Sequence, residues 1–469
     1  MLSSLFRLAG TLLATVGCLS LFLAPVAHAF TVGEEKELGE KLLSLVRKEF
    51  KVLDDPDISQ YINRLGREVL EAAGPQFFNY HFFVIRNRQF NAFAAPSGLI
   101  FIHSGLIEVT ETEDELVSVI AHEIAHAASR HYADRLEKAK KVSMGSAALA
   151  LAGLAMGAGP LSEALVTGSM AASATLQLKF SRQDEEEADR LAYKWMRQIG
   201  RDPHEMLGML GKMRRISRYR SGSIPPYLLT HPEPEKRLAY IEDRIYLDQA
   251  LNDLPPRHDP FSFLRIKYRI LTLTREPHEL LDSLLRKAGE GEESEHLMAR
   301  YGLAQVYLAN RDYRKAEKEL RQVKEKLPDK PLLDADLAII LFEAGKHAEA
   351  LALIDKASQK APEEAYIQFQ RARILQQTGK TQEALAIYRK LVQSIPDYSR
   401  LHYRLGELEA ALGNKNGGHY HLGVYFWQEG DVKNARFHLK ETIRNTQPDD
   451  ALRQKAEELL ATMERLEKM

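Results

Sequence analysis

The residues best suited to chemistry are His122-Glu123-Ile124-Ala125-His126. Histidines at i and i+4 lie one turn apart on the same helix face, so both imidazoles can reach one metal ion. Glu123 stands beside them, where it can take a proton from water that such an ion activates. Thr112 with Glu115 reads as a capping box starting this helix, and Leu116, Val117, Ile120 and Ile124 give it an apolar stripe. Two histidines and a glutamate in an apolar stretch are costly to bury unless a metal organises them. Cys18 is the only cysteine in the chain. Beyond it, thiol nucleophiles, disulfides and thiolate ligands are excluded.

A catalytic zinc takes three protein ligands and keeps one position open. Ser129 and Tyr132 stand where a metzincin needs Gly and His, and His131 is out of phase; Gly145 stands where an aminopeptidase-type site needs Glu. The remaining candidate runs from Ser181 to Asp189. Ser181 caps a helix whose buried stripe is Ala188, Leu191, Ala192 and Trp195. Glu185 and Asp189, at i and i+4, share the face beside Ala188, where a ligand and the group orienting a ligand would sit. An acidic run read alone is more often a solvated helix face.

That stretch resembles the Glu-x-x-Ala-Asp motif of the gluzincin family that includes HtpX and the CAAX prenyl proteases. The resemblance implies one zinc ion per chain, held by His122, His126 and Glu185, with Glu123 and Asp189 as the catalytic carboxylates. Asn91-Ala92-Phe93-Ala94-Ala95-Pro96-Ser97-Gly98, followed by Leu99-Ile100-Phe101-Ile102, resembles the family's strand before the zinc helix. His231-Pro232, with Arg237 six residues after the His, resembles its downstream loop. The resemblance implies that His231 regulates by taking the fourth metal position and holding the enzyme latent. Arg237 either stabilises the oxyanion or pairs with a carboxylate. Substrate is expected to add as a strand at an edge near Ser97 to His103; His103 and His131 read as structural.

The elements around this site divide the chain. Residues 1–29 read as a signal peptide, with Arg7 in the n-region, an apolar run from Leu12 to Val26, and Ala27-His28-Ala29 at the cleavage point. Thr15-Val16-Gly17 before Cys18 is a poor lipobox. Residues 30–252 form the expected α+β metalloprotease domain, and the Pro-rich stretch 253–261 a linker. Residues 262–469 read as an all-α tetratricopeptide-repeat solenoid. Ala316, Ala350 and Ala384 recur every 34 residues, as do Leu320, Ile354 and Tyr388, and Pro328, Pro362 and Pro396. After Pro396 the register slips, because Leu422-Gly423 follows Leu405-Gly406 by only 17 residues. Ser262 to Ala288 reads as a degenerate opening pair, and Ala451 to Met469 as a capping helix.

Leader, protease and repeats together resemble the BepA-like family of periplasmic proteases. Relatives there carry cysteines that pair between the domains, and this chain has none after its leader. The resemblance implies degradation of misfolded or stalled outer-membrane proteins, with the repeat groove docking the outer-membrane assembly machinery. The alternative is a docking chaperone with little proteolysis. A formal net charge of −1 gives no electrostatic reason to expect nucleic acid. Val142 to Ser162 lacks charge and is rich in Ala and Gly, so residues 142–178 are expected as a helical hairpin touching the membrane surface rather than a span.

Overall fold

The computed structural model describes residues 30–138, 146–149, 152–153, 180–219, 226–248, 259–289 and 293–468. The expected leader and most of 142–178 and of the linker lie outside them. Among the described residues no helix is long and apolar enough to cross a membrane.

Helix α1 (Val32–Glu49) opens with a capping box: Thr31 Oγ1 accepts from the Glu34 N–H, and the Glu34 carboxylate accepts from the Thr31 N–H. Helix α2 (Pro56–Ala73) has Asp55 as N-cap and Pro56 in its first turn, and buries Ile58, Ile62, Leu65 and Val69 along one face. Gly66 lies on that face, where a Cβ would stand 2.2 Å from the Phe82 ring; only glycine lets α2 lie this close to the sheet.

The sheet has the order β1–β3–β2, with β1 (His81–Ile85) parallel and β2 (Ala92–Ala95) antiparallel to β3 (Leu99–His103). A 3-10 turn at Pro96–Gly98, with Ser97 left-handed at φ 68°, folds β2 back onto β3. The expected substrate edge at Ser97 to His103 is therefore wrong. β3 is the central strand, paired on both sides, and the edge in that region is β2. The apolar run Leu99 to Ile102 gives no sign of this, because a strand paired on both sides and one paired on one side can share the same pattern.

After α3 (Ser104–Val109) comes α4 (Glu113–Ala128), which carries the two candidate ligands and packs against α2, β2, α6 (Arg182–Gln198) and α7 (His204–Tyr219). Every residue of α4 from Asp114 to Ala127 is buried, as a helix enclosed on all sides requires. Only half of its expected capping box forms. Thr112 Oγ1 accepts from the Glu115 N–H, but the Glu115 carboxylate accepts from the Glu111 N–H at 2.6 Å and from buried Lys212 Nζ at 2.5 Å. A charged donor outcompetes the neutral amide of Thr112. Short helices α5 (His131–Lys138) and α8 (Pro226–Thr230) and the longer α9 (Pro234–Leu247) complete this half.

The C-terminal half is a row of antiparallel helices. α10 (Phe261–Thr274) and α11 (Pro277–Lys287) precede the pairs α12 (Glu293–Ala309) with α13 (Tyr313–Lys326), α14 (Pro331–Glu343) with α15 (His347–Lys360), and α16 (Ala365–Gln377) with α17 (Thr381–Ser394). Ala316, Ala350 and Ala384 are fully buried where paired helices meet. Left-handed residues close the intra-pair turns at the same step: Arg311, Gly345, Gly379 and Gly413. α18 (Ser399–Ala411), α19 (Lys415–Gln428) and α20 (Val432–Asn445) explain the register slip, since α19 packs on both neighbours and Leu405, Leu422 and Leu439 sit one helix plus one turn apart. α21 (Ala451–Lys468) ends the array.

The array rests on the protease half at several points along its length. Fully buried Arg265 on α10 bridges Asp57 of α2 at 2.7 Å and Asp336 of α14 at 2.8 Å. Further along, Gln60 Oε1 accepts from the Ala365 N–H, and Asp54 Oδ2 accepts from the Ser399 N–H at 2.7 Å. The protease half thus supplies side-chain caps for α16 and α18, neither of which has one of its own. At the far end Arg465 on α21 pairs with Glu40 on α1.

Candidate active site

His122 Nε2 and His126 Nε2 lie 3.1 Å apart on one face of α4. α6 packs across α4 and brings the Glu185 carboxylate 3.5 Å from His122 Nε2 and 3.3 Å from His126 Nε2. The segment after α8 brings His231, whose Nδ1 is 3.3 Å from His122 Nε2 and 2.9 Å from Glu185 Oε1. All four side chains are buried, and their donor atoms lie within 4.8 Å of one another.

The donor set can be tested against a metal ion. Four ligands about 2.0–2.1 Å from a tetrahedral centre stand roughly 3.3 Å from each other. The five separations given above run from 2.9 to 3.5 Å, with the two Glu185 oxygens sharing the contacts, and the four donors all lie within 4.8 Å of one another. Burial strips water from these groups, and Glu123 Oε1 and His231 Nε2 make no hydrogen bond. Burial pushes His126 well below its ordinary pKa, toward the neutral form that ligates. At His122, burial and Arg237 favour neutrality, yet hydrogen bonds to Asp189 and Glu185 win and push it up to about 9. Burial opposes ionisation of Glu185, but His231 and Arg237 hold its carboxyl well below the usual range. Glu185 is thereby held as the charged carboxylate that a metal ion takes. The residues fit the group.

Around these four stand their supports. Asp189 Oδ1 is 3.0 Å from His122 Nδ1. Arg237 grips the same carboxylate through Nε and Nη2, both at 2.8 Å, while its Nη1 is 2.8 Å from Glu185 Oε2. Its guanidinium lies between two carboxylates. Glu123 Oε2 accepts from the Ala94 N–H of β2 at 2.7 Å, and Oε1 stands 3.6 Å from His231 Nε2.

The structure thus brings together His122, Glu123, His126, Glu185, Asp189, His231 and Arg237. Sequence reasoning missed three neighbours. Tyr227 stacks on His231 with ring centroids 4.3 Å apart, and Phe180 stacks on His126 at 3.9 Å. Lone aromatics beside loops carry no sequence signal that separates them from ordinary core. His131, read as structural, has its Nδ1 2.9 Å from His126 Nδ1, in direct contact with a candidate ligand.

Peptidase family M48 matches residues 56–245, the segment that holds every residue of the site. Residues 56–245 are a peptidase family M48 domain. Tetratricopeptide-repeat matches follow the M48 domain at residues 301–365 and 341–408. The chain is 32% identical over 300 residues to the beta-barrel assembly-enhancing protease of Escherichia coli K12, covering 62% of this chain and 59% of that one. It is 32% identical over 302 residues to the putative beta-barrel assembly-enhancing protease of Vibrio cholerae, covering 64% of this chain and 62% of the relative. The chain therefore spans about three-fifths of the length of these curated relatives. The chain is also 31% identical over 183 residues to the mitochondrial metalloendopeptidase OMA1 of Schizosaccharomyces pombe, covering 39% of this chain and 52% of that protein.

Proposed function

We propose that the chain is a zinc-dependent endopeptidase of the bacterial periplasm that degrades misfolded or stalled outer-membrane proteins and assists their assembly. The observation that carries this reading is the convergence of the buried His122, His126, Glu185 and His231 donor atoms within 4.8 Å of one another beside Glu123. Zinc suits a nitrogen and carboxylate set of this geometry. The compartment and substrates rest on likeness to the beta-barrel assembly-enhancing proteases and on the leader expected at residues 1–29.

His122, His126 and Glu185 would hold the ion, which when bound supplies Lewis acidity to a carbonyl and to water. Glu123 is the general base. The Ala94 N–H pins its Oε2, leaving Oε1 to take a proton from water and return it to the leaving amine. Asp189 orients His122 through Nδ1, and Arg237 holds Asp189 and Glu185 in register. We favour this carboxylate-pairing role for Arg237 over oxyanion stabilisation, because three of its nitrogens already face carboxylates. Substrate would add along the edge of β2 that does not pair with β3, the side on which the Ala94 N–H points toward Glu123. The repeat array would dock the assembly machinery through its groove.

His231 is fully buried and supplies a fourth donor atom to the cluster, which supports its role as a latch. A closed state that leaves roughly 1–10% of molecules competent lowers activity in proportion. The His231→Ala variant is therefore expected to degrade an unfolded test protein about 10–100-fold faster than wild type, with chelator abolishing cleavage and zinc restoring it. Equal rates in wild type and variant would remove the latch. Cleavage insensitive to chelator would remove the metal mechanism.

A further inference from the structure

His131 is five residues beyond His126, and in a continuous helix it would point to a different face. The helix is not continuous. α4 ends at Ala128 with Ser129 as C-cap, and Arg130 turns left-handed at φ 53°. That strained residue is tied down by its Nε to Glu35 Oε2 and its Nη2 to the Phe30 carbonyl, both at 2.9 Å. The reversal returns His131 over the outer edge of the His126 ring, with Nδ1 to Nδ1 at 2.9 Å. His131 is itself buried, and its Nε2 faces Glu187 Oε2 at 3.6 Å. Ser129 Oγ donates to the other oxygen of Glu187 at 3.4 Å.

These distances constrain the protons. An imidazole that ligates through Nε2 carries its proton on Nδ1, and a buried N–H needs an acceptor. His122 has Asp189 for this. At His126 Nδ1 the hydrogen-bond partner is His131 Nδ1. His131 must then offer a lone pair at Nδ1 and keep its own proton on Nε2, on the side of the Glu187 carboxylate. We propose that His131 is a positioning residue of the metal centre: it accepts the Nδ1 proton of His126 and fixes that ligand's tautomer and ring plane, with Glu187 orienting His131 in turn. The two ligand histidines are thus held by different devices, a carboxylate for His122 and a histidine–carboxylate relay for His126. Phe180, stacked on the His126 ring at an interplanar angle of 24°, fixes the same plane from the other direction.

This inference rests on the metal-centre reading above, and zinc affinity separates the two. Zinc is titrated into the full chain in competition with a chromogenic chelator, for wild type, His131→Leu, His131→Gln and His131→Asn. Loss of an outer hydrogen bond to a ligand weakens metal binding by roughly 10–100-fold, the loss expected of His131→Leu. Asn places an oxygen close to the Nδ1 position and is expected to stay within about threefold of wild type. Gln, whose oxygen reaches past that position, is expected to bind as weakly as Leu, and takes its place if the Leu variant does not fold. Affinities of Leu and Gln variants within twofold of wild type, or an Asn variant as weak as they are, would overturn the proposal. Wild type that binds no zinc would instead overturn the metal-centre reading.

Discussion

Glu123→Gln, introduced into the His231→Ala background, is expected to lower cleavage of an unfolded protein by roughly 10²–10⁴-fold, the usual contribution of a positioned general base. The geometry makes this a clean test. Glu123 Oε2 only accepts, from the Ala94 N–H at 2.7 Å, and the glutamine carbonyl can accept the same bond. The amide then faces the cluster in place of Oε1, with the same bulk and no ability to take a proton. Zinc content is expected to stay at one ion per chain, because Glu123 is not among the donor atoms that converge. Cleavage close to that of the His231→Ala parent would mean that the base lies elsewhere. Loss of zinc along with activity would mean that Glu123 organises the ligands rather than moving a proton. The experiment also decides between the protease and the docking chaperone, since a purely docking role is indifferent to the basicity of one buried carboxylate.

How much of this site the sequence carried depends on how local each geometry is. His122, Glu123 and His126 were legible because one helix places them, and helical phase is a property of spacing alone. Glu185 and Asp189 share a face for the same reason, but their meeting with α4 depends on how two helices cross, and spacing holds no information about that. Resemblance filled the gap. His131, out of phase with the metzincin spacing and read as structural, meets His126 only because a left-handed residue at Arg130 ends the helix. Nothing in Ser-Arg-His announces such a break, since neither Gly nor Pro is present. The substrate edge failed similarly, because the Pro96-Ser97-Gly98 turn decides which strand ends up in the middle. The repeats were read closely, even to their slip after Pro396, because packing between neighbours in a solenoid is itself local in sequence.

What joins the two halves was not legible at all, and it should respond strongly to one substitution. Arg265→Ala is expected to destabilise the docked array by ~3 kcal/mol, near the low end of the range for breaking a buried ion pair. Arg265 is 1% exposed and holds Asp57 and Asp336 together. Removing it leaves two buried carboxylates short of charge. Burial opposes ionisation of Asp336, yet Arg265 and Arg269 hold its carboxyl below the usual range, so it stays charged in the folded protein. The loss is tempered because Arg269 remains 2.8 Å from Asp57 and 3.4 Å from Asp336, and Tyr301 and Tyr366 still donate to Asp336. A change of this size lowers the thermal midpoint by about 3 °C if the halves unfold together as one unit. If they separate first, faster protease nicking at the junction of α10 and α2 should precede the main transition. Arg265→Ala combined with Asp336→Asn should recover part of the loss, since removing the carboxylate ends the desolvation of an unpaired charge, and the asparagine still meets the two tyrosines. Equal destabilisation in the single and double variants would show that lost packing, rather than the uncompensated charge of Asp336, is what the arginine prevents.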